Sequence, residues 1–383
     1  MISGYVHPDF GGVTQALRRV AAHKLGGGAA VAVYHRGEPV VDAWTGTRNP
    51  AGDPWRSDTM AMSFSTTKGV VATVVHRLVD RGLIDYDEPV ATYWPEFGAA
   101  GKERITVRQL LNHSAGLHQL RDVIGDAYDM LDWDLVCARL AAQAPRYPPG
   151  TRHGYHGITY GFLVGEVIRR VTGMTVPEAV EAEIVKPLDL DGMTIGAPPD
   201  ARERVAQLIV QFGNAARAER FARRAVRASW LRPAIDTFMI PDSDRLYASV
   251  DVLDGPIPAV NGCFTARSLA RMYAALAGGG VLEGERFLTT ETLRRATEIQ
   301  TTGRDIVVGF PMQWRLGYHL AATSRGIIPN GFGHFGFGGS GAWADPDNDL
   351  AVAFVCNRVA GTPFGDMRFL RIGAQARAAA MTR

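Results

Sequence analysis

Met62-Ser-Phe-Ser-Thr-Thr-Lys-Gly69 leads into a run that carries Val70, Val71, Val74, Val75, Leu78 and Val79 before Gly82. Those valines and the leucine fall on the i, i+4, i+8 rows of a helix, and Gly82 is a fitting residue for its stop. The spacing therefore predicts a core helix from Thr66 to about Arg81. Its first turn holds Ser65 and Lys68, which are three residues apart, share one face and can touch. Only Lys24, Lys68, Lys102 and Lys186 among the 41 cationic residues are lysines. A lysine at a helix N-terminus opposes the helix dipole. Lysine can lose its proton when desolvated and arginine effectively cannot, so a site that needs a base accepts lysine there. The pair reads as a serine nucleophile with a lysine that helps to deprotonate it. The competing reading is a capping serine beside a solvent-facing lysine.

Outward from this helix, a short helical pattern at Val13–His23 precedes Gly26-Gly27-Gly28. Ala29–His35 and Pro39–Thr45 then read as a hairpin about Arg36-Gly37-Glu38, the start of an antiparallel sheet. The glycine triplet precedes a strand and opens no helix, so it reads as a lead-in and not as a phosphate cradle. Residues 83–195 are rich in helical patterns broken by Pro89, Pro95, Pro148-Pro149-Gly150 and Pro187, whereas the chain beyond 260 ends in strand-like runs such as Leu350–Cys356. The asymmetry predicts an α+β fold in which a helical region is inserted into a sheet domain. The expected division is 1–82 with 255–383 for the sheet domain and 83–254 for the mostly helical one. Within the latter, the Arg-rich segment 202–232 reads as a solvated helix, with a lid or a peripheral lipid contact as the alternative.

Two further stretches carry chemistry. Pro149-Gly-Thr-Arg-His-Gly-Tyr155-His156 precedes a helical pattern over Gly161–Val171, which puts Tyr155 at the mouth of that helix. Beside a lysine ammonium its phenol is expected to fall in pKa and shuttle a proton; the alternative is a packing tyrosine. His153 and His156 lack a nearby carboxylate to complete a metal set, so no metal is expected. Gly331–Asp347 is dense in glycine and reads as strand, turn, strand, so that a ligand can approach the backbone. A free backbone N–H there, with that of Ser65, would make an oxyanion hole; a hairpin without ligand is the alternative. Gly338-Gly-Ser340-Gly-Ala342 imitates a nucleophile elbow, but no helical pattern follows, so Ser340 reads as a loop residue.

Composition sets the outer limits. The chain has 383 residues, 46% hydrophobic and 21% charged, with no apolar run near the eighteen or so residues of a membrane span. A net charge of +2 supplies no field for nucleic acid. Cys137, Cys263 and Cys356 are odd in number and widely spaced, which predicts buried thiols in a reducing compartment. The N-terminus shows no cationic start followed by an apolar core, so a cytoplasmic location is expected.

Taken in order, Met62–Gly69, Ile105-Thr-Val-Arg-Gln-Leu-Leu-Asn-His-Ser-Ala-Gly-Leu117, Pro149–His156 with Gly165–Gly173, Asn261–Arg271 and Gly333-His-Phe-Gly336 resemble the serine β-lactamase and penicillin-binding protein superfamily. The resemblance is greatest to its family VIII carboxylesterases, which look like class C β-lactamases. It implies an antiparallel sheet flanked by helices plus a mostly helical domain, with Ser65 at their junction. It further implies Ser65 as the acylated nucleophile, Lys68 as proton acceptor, Tyr155 as shared base and acid, and the backbone of Ser65 and Phe337 as oxyanion donors. His156, His334, Phe335 and Gly336 are expected to face the substrate, and no cofactor is implied. Where β-lactamases have Tyr-x-Asn and Lys-Thr-Gly, this chain has Tyr155-His156-Gly157 and His334-Phe335-Gly336. Both departures remove groups that engage a β-lactam and that a neutral ester does not need. The expectation is a hydrolase of short- to medium-chain carboxylic esters acting on a small molecule. Acyl transfer, weak β-lactam hydrolysis and a non-catalytic binding or scaffold protein are the rivals, and the oligomeric state is left open.

Overall fold

The computed structural model describes residues 1–21, 26–210, 231–359 and 366–383. The chain opens with β1 (Ile2–Val6), α1 (Gly11–Ala21), β2 (Gly28–His35) and β3 (Glu38–Gly46), then a short β4 (Met60–Met62) runs into α2 (Thr66–Asp80). Further on come α3 (Trp133–Ala142), α4 (Thr159–Thr172), β5 (Met193–Ile195), β6 (Val205–Ala206), α5 (Arg232–Phe238) and α6 (Ser243–Ala248). After β7 (Gly262–Phe264) and α7 (Ala266–Ala277), the chain returns to the sheet as β8 (His319–Thr323), β9 (Gly326–Phe335), β10 (Gly341–Asp345) and β11 (Leu350–Cys356). It ends in α8 (Met367–Thr382).

The main sheet has the order β1-β3-β2-β11-β10-β9-β8 and is antiparallel throughout. Both ends of the chain build it, since β2 pairs with β11 from Ala29↔Cys356 to His35↔Leu350. Every residue of these two central strands is buried. The two-residue period of a strand sorts them. Val31, Val33, Val352 and Phe354 face a core with Phe10, Val13, Leu17, Phe369 and Ile372 of α1, α8 and the adjoining turn. Ala30, Ala32, Ala351 and Ala353 face the opposite core with Leu269, Ala270 and Tyr273 of α7. Small side chains on that face let the alanine-rich α7 lie close to the sheet. Strand β1 has no counterpart in the sequence reading: it is short, and Gly4 takes φ +102°.

A second sheet, β5-β7-β4-β6, lies where α2 begins. It joins segments from both parts of the expected division, pairing Met60 and Ala61 with Val205 and Ala206, and Ala61 and Met62 with Phe264 and Cys263. The larger hydrophobic cluster runs without a break from α2 and α7 into residues 84–197. In α2 the residues Val70, Val71, Val74, Val75 and Leu78 have no solvent exposure. A buried Val or Leu is worth about 1.5–3 kcal/mol, so this helix is fixed in place. Lys102, another of the four lysines, is also buried, and its ammonium donates to the carbonyls of Ala99, Ala141 and Gln143 at 2.6–2.8 Å.

Most of the Arg-rich segment, residues 211–230, lies outside the described residues. At its edges Arg202 pairs with Asp254, Arg204 with Asp191 and Arg232 with Asp236. No helix among the described residues is long and apolar enough to cross a membrane.

Candidate active site

Ser65 sits between β4 and α2, as the residue just before the first helical turn. The chain turns there through Phe64, which takes φ +45°. A left-handed conformation costs a residue with a Cβ roughly 1–2 kcal/mol. The Phe64 ring is held edge-on by Tyr247 at 5.7 Å and by Phe337 at 5.5 Å. Thr67 donates its hydroxyl to the Phe64 carbonyl at 2.5 Å and accepts the Gly262 amide at 3.0 Å. The bend that presents Ser65 is thus locked from three sides, and the Ser65 hydroxyl makes no capping bond to its own helix.

Lys68 is completely buried, and its Nζ lies 3.0 Å from Ser65 Oγ and 3.1 Å from the carbonyl oxygen of Ala259. No carboxylate pairs with it among the described residues. Burial alone drives its pKa well below that of a free lysine. The Ala259 carbonyl is fixed by Asn261, whose side chain accepts from the Ile257 amide and donates to the carbonyls of Val252 and Gly255. An amine so placed is suited to accept the Ser65 proton.

Tyr155 is 5% exposed and hydrogen-bonds to the Ser65 side chain, and Lys68 Nζ lies 5.0 Å from the centroid of its ring. Its phenol differs from the sequence expectation. Burial pushes its pKa up, and the Ser65 bond opposes that only in part. The expected depression by Lys68 is outweighed by that burial. A raised phenol pKa suits Tyr155 to give a proton, and a lowered amine pKa suits Lys68 to take one.

The neighbours of Tyr155 were not visible in the sequence. Trp314 stacks on it at 5.1 Å and 14°, and His113, itself at φ +63°, meets both rings edge-on. Asp305 is fully buried and accepts the Trp314 indole at 2.9 Å and the amides of Val307 and Val308 at 2.8 and 3.0 Å. His113 lies in one of the stretches that carried the resemblance, but Asp305 and Trp314 come from a segment with no periodic signal.

The predicted substrate-facing residues divide. Gly336 follows β9 directly, against the Ser65 turn; a Cβ on it would lie 2.1 Å from the Ser63 carbonyl oxygen. Phe337 follows on the same rim as Ser65 and Tyr155. The amides of Ser65 and Phe337 form no backbone hydrogen bond among the described residues. His334 lies 6.3 Å from the Tyr155 ring and is held neutral, first by burial and then by His319 and Lys68. Phe335 turns its ring against Phe369 and His319. His156 is placed differently from the expectation. It does not line the cavity over Ser65, and its ring accepts the Leu117 amide at 3.1 Å. Ser340 is in the turn before β10, where it accepts the Cys356 amide.

A cavity of about 220 Å³ opens over Ser65 and Tyr155, lined also by Phe64, Ile158, Phe238, Tyr247, Val260 and Phe337, with no charged residue in its walls among the described residues. Helices α5 and α6 supply Phe238 and Tyr247.

The beta-lactamase family model matches residues 16–377 of the chain. The chain belongs to the beta-lactamase family. Within it, the chain is 41% identical to the Mycobacterium tuberculosis protein named esterase/beta-lactamase LipL, over 94% of this chain and 83% of that one. A family VIII carboxylesterase structure superposes with a TM-score of 0.86 at 35% identity, covering 99% of this chain and 100% of the other. A penicillin-binding protein homologue from Caulobacter crescentus superposes at 0.85 and 36% identity over the same shares. The fold of the beta-lactamase family, an antiparallel sheet with helices on both faces, is the one predicted.

Proposed function

We propose that this beta-lactamase-family chain is a serine hydrolase of carboxylic esters, with Ser65 as nucleophile, Lys68 as base and Tyr155 as acid. The observation that carries the reading is a buried Lys68, with no carboxylate partner among the described residues, at 3.0 Å from the Oγ of Ser65, which lines the cavity. The similarity to a protein named an esterase and to a family VIII carboxylesterase points the same way.

Lys68 Nζ takes the Ser65 proton as Oγ attacks the ester carbonyl carbon. The oxyanion that forms is received by the amides of Ser65 and Phe337, a type of stabilisation worth several kcal/mol in such sites. As the bond to the alkoxide breaks, Tyr155 gives it the phenolic proton, and the Lys68 ammonium restores that proton to Tyr155. Water then enters, yields a proton to the same pair and attacks the acyl carbon, and Ser65 leaves with its proton regained. The balance is one ester and one water in, one alcohol and one acid out.

The walls argue for a neutral substrate. The β-lactam carboxylate expected by the wider family meets His334, which burial holds neutral, where a cation would be needed. Acyl transfer shares every step up to the acceptor, and added alcohol would report it as a second product. The three cysteines are buried and unpaired, which supports the cytoplasmic reading. Hydrolysis of an aryl butyrate by the wild type, lost by about three orders of magnitude or more in Ser65→Ala, is the expected result. Turnover that survives Ser65→Ala would refute the proposal.

A further inference from the structure

Behind the cavity over Ser65 lies a second one of about 270 Å³, lined by Met62, Val205, Leu208, Tyr247, Val252 and Leu253 among others. Among the described residues, Tyr247 is the one side chain that lines both. It projects from the short helix α6, half-buried, and its ring meets Phe64 edge-on at 5.7 Å and 85°. Phe64 is the residue before the nucleophile, and Met62 is three residues before it. Among the described lining residues the charged one, Arg202, is ion-paired with Asp254, and the lining is mostly apolar, with Gln207 and Ser249 as its other polar side chains.

Resting on the ester-hydrolase reading, we infer that Tyr247 is the specificity-determining wall that limits acyl length, and that the cavity beyond it is an extension of the acyl site. Tyr247 stands between the two cavities, so the wild-type chain confines a short acyl group to the Ser65 side. Removing the Tyr247 ring joins the first cavity to a space larger than itself. Each methylene that is then buried raises kcat/KM about fourfold.

The test is kcat/KM for aryl butyrate, octanoate and dodecanoate in the wild type, Tyr247→Ala and Tyr247→Ala with Val252→Trp. The wild type should prefer butyrate. Tyr247→Ala should raise the octanoate-to-butyrate ratio at least tenfold, and Val252→Trp, which refills the second cavity, should cancel that gain. Tyr247→Leu serves if the alanine variant fails to fold, with the same direction expected. A ratio unchanged in a folded variant that still turns over butyrate overturns the inference alone. A wild type inert toward every ester overturns the hydrolase reading and this inference with it.

Discussion

Asp305→Ala tests whether the carboxylate behind Trp314 holds Tyr155, the proposed acid, in place. Asp305 is fully buried, has no cationic partner among the described residues, and accepts from the Trp314 indole, the amides of Val307 and Val308, and the backbone of Tyr155. Each buried donor left without an acceptor costs about 1–3 kcal/mol. Part of this is offset, because burial pushes the Asp305 carboxyl pKa up and its removal relieves that strain. A net loss of about 3 kcal/mol is expected, which at roughly 2 °C per kcal/mol in a chain of this size is a fall in Tm of about 6 °C. The kinetic effect is larger than the thermal one suggests. Trp314 stacks on Tyr155, so its release lets the phenol drift, and a displacement near 1 Å costs about 10²-fold in rate. The assay is thermal unfolding by circular dichroism, with kcat on an aryl butyrate well below the melting range. Asp305→Asn keeps an oxygen for the two amides but sets an NH₂ against the indole N–H, so it should lose rate with less loss of Tm. A folded Asp305→Ala with wild-type Tm and kcat would refute the reasoning.

Lys68→Met should abolish turnover yet melt higher than the wild type at pH 7. Burial lowers the Lys68 pKa in the folded chain, so the unfolded chain binds the extra proton; the resulting cost shrinks as pH rises toward the unfolded pKa, and the advantage of Met should shrink with it. For the same reason the wild-type kcat/KM should rise with pH through a midpoint well below the ordinary lysine value, and a flat profile would contradict Lys68 as base. Gly336→Ala should cost about 10²-fold in acylation rate, since its Cβ would meet the Ser63 carbonyl at 2.1 Å and push β9 off the Ser65 turn; pre-steady-state release of the aryl alcohol reports it.

What the sequence disclosed were features written in short spacings. The i, i+3 placement of Ser65 and Lys68, the valine rows of α2 and the all-buried run Leu350–Cys356 each depend on neighbours within one element, and each is where it was expected. Tyr155 was legible as the residue at the mouth of α4, but its pKa was not, because the burial that sets the sign is made by residues distant in the chain. Asp305, Trp314 and His113 reach Tyr155 from segments 40 to 160 residues away in the chain, and no local pattern records such contacts. The contact of His156 with the Leu117 amide was not legible, because the turn at 153–157 has no regular period to orient it. The walls Phe238 and Tyr247 lie on two short helices of seven and six residues, too brief to leave a periodic signal.

The central claim is a covalent acyl-Ser65 intermediate. Intact-protein mass spectrometry after a brief pulse of aryl butyrate, with wild type beside Ser65→Ala and release of product followed in parallel, tests it most directly. The account predicts a butyryl increment that maps to Ser65, is absent from the variant and decays as product appears. Product release with no adduct at Ser65, or an adduct that persists in Ser65→Ala, would contradict it.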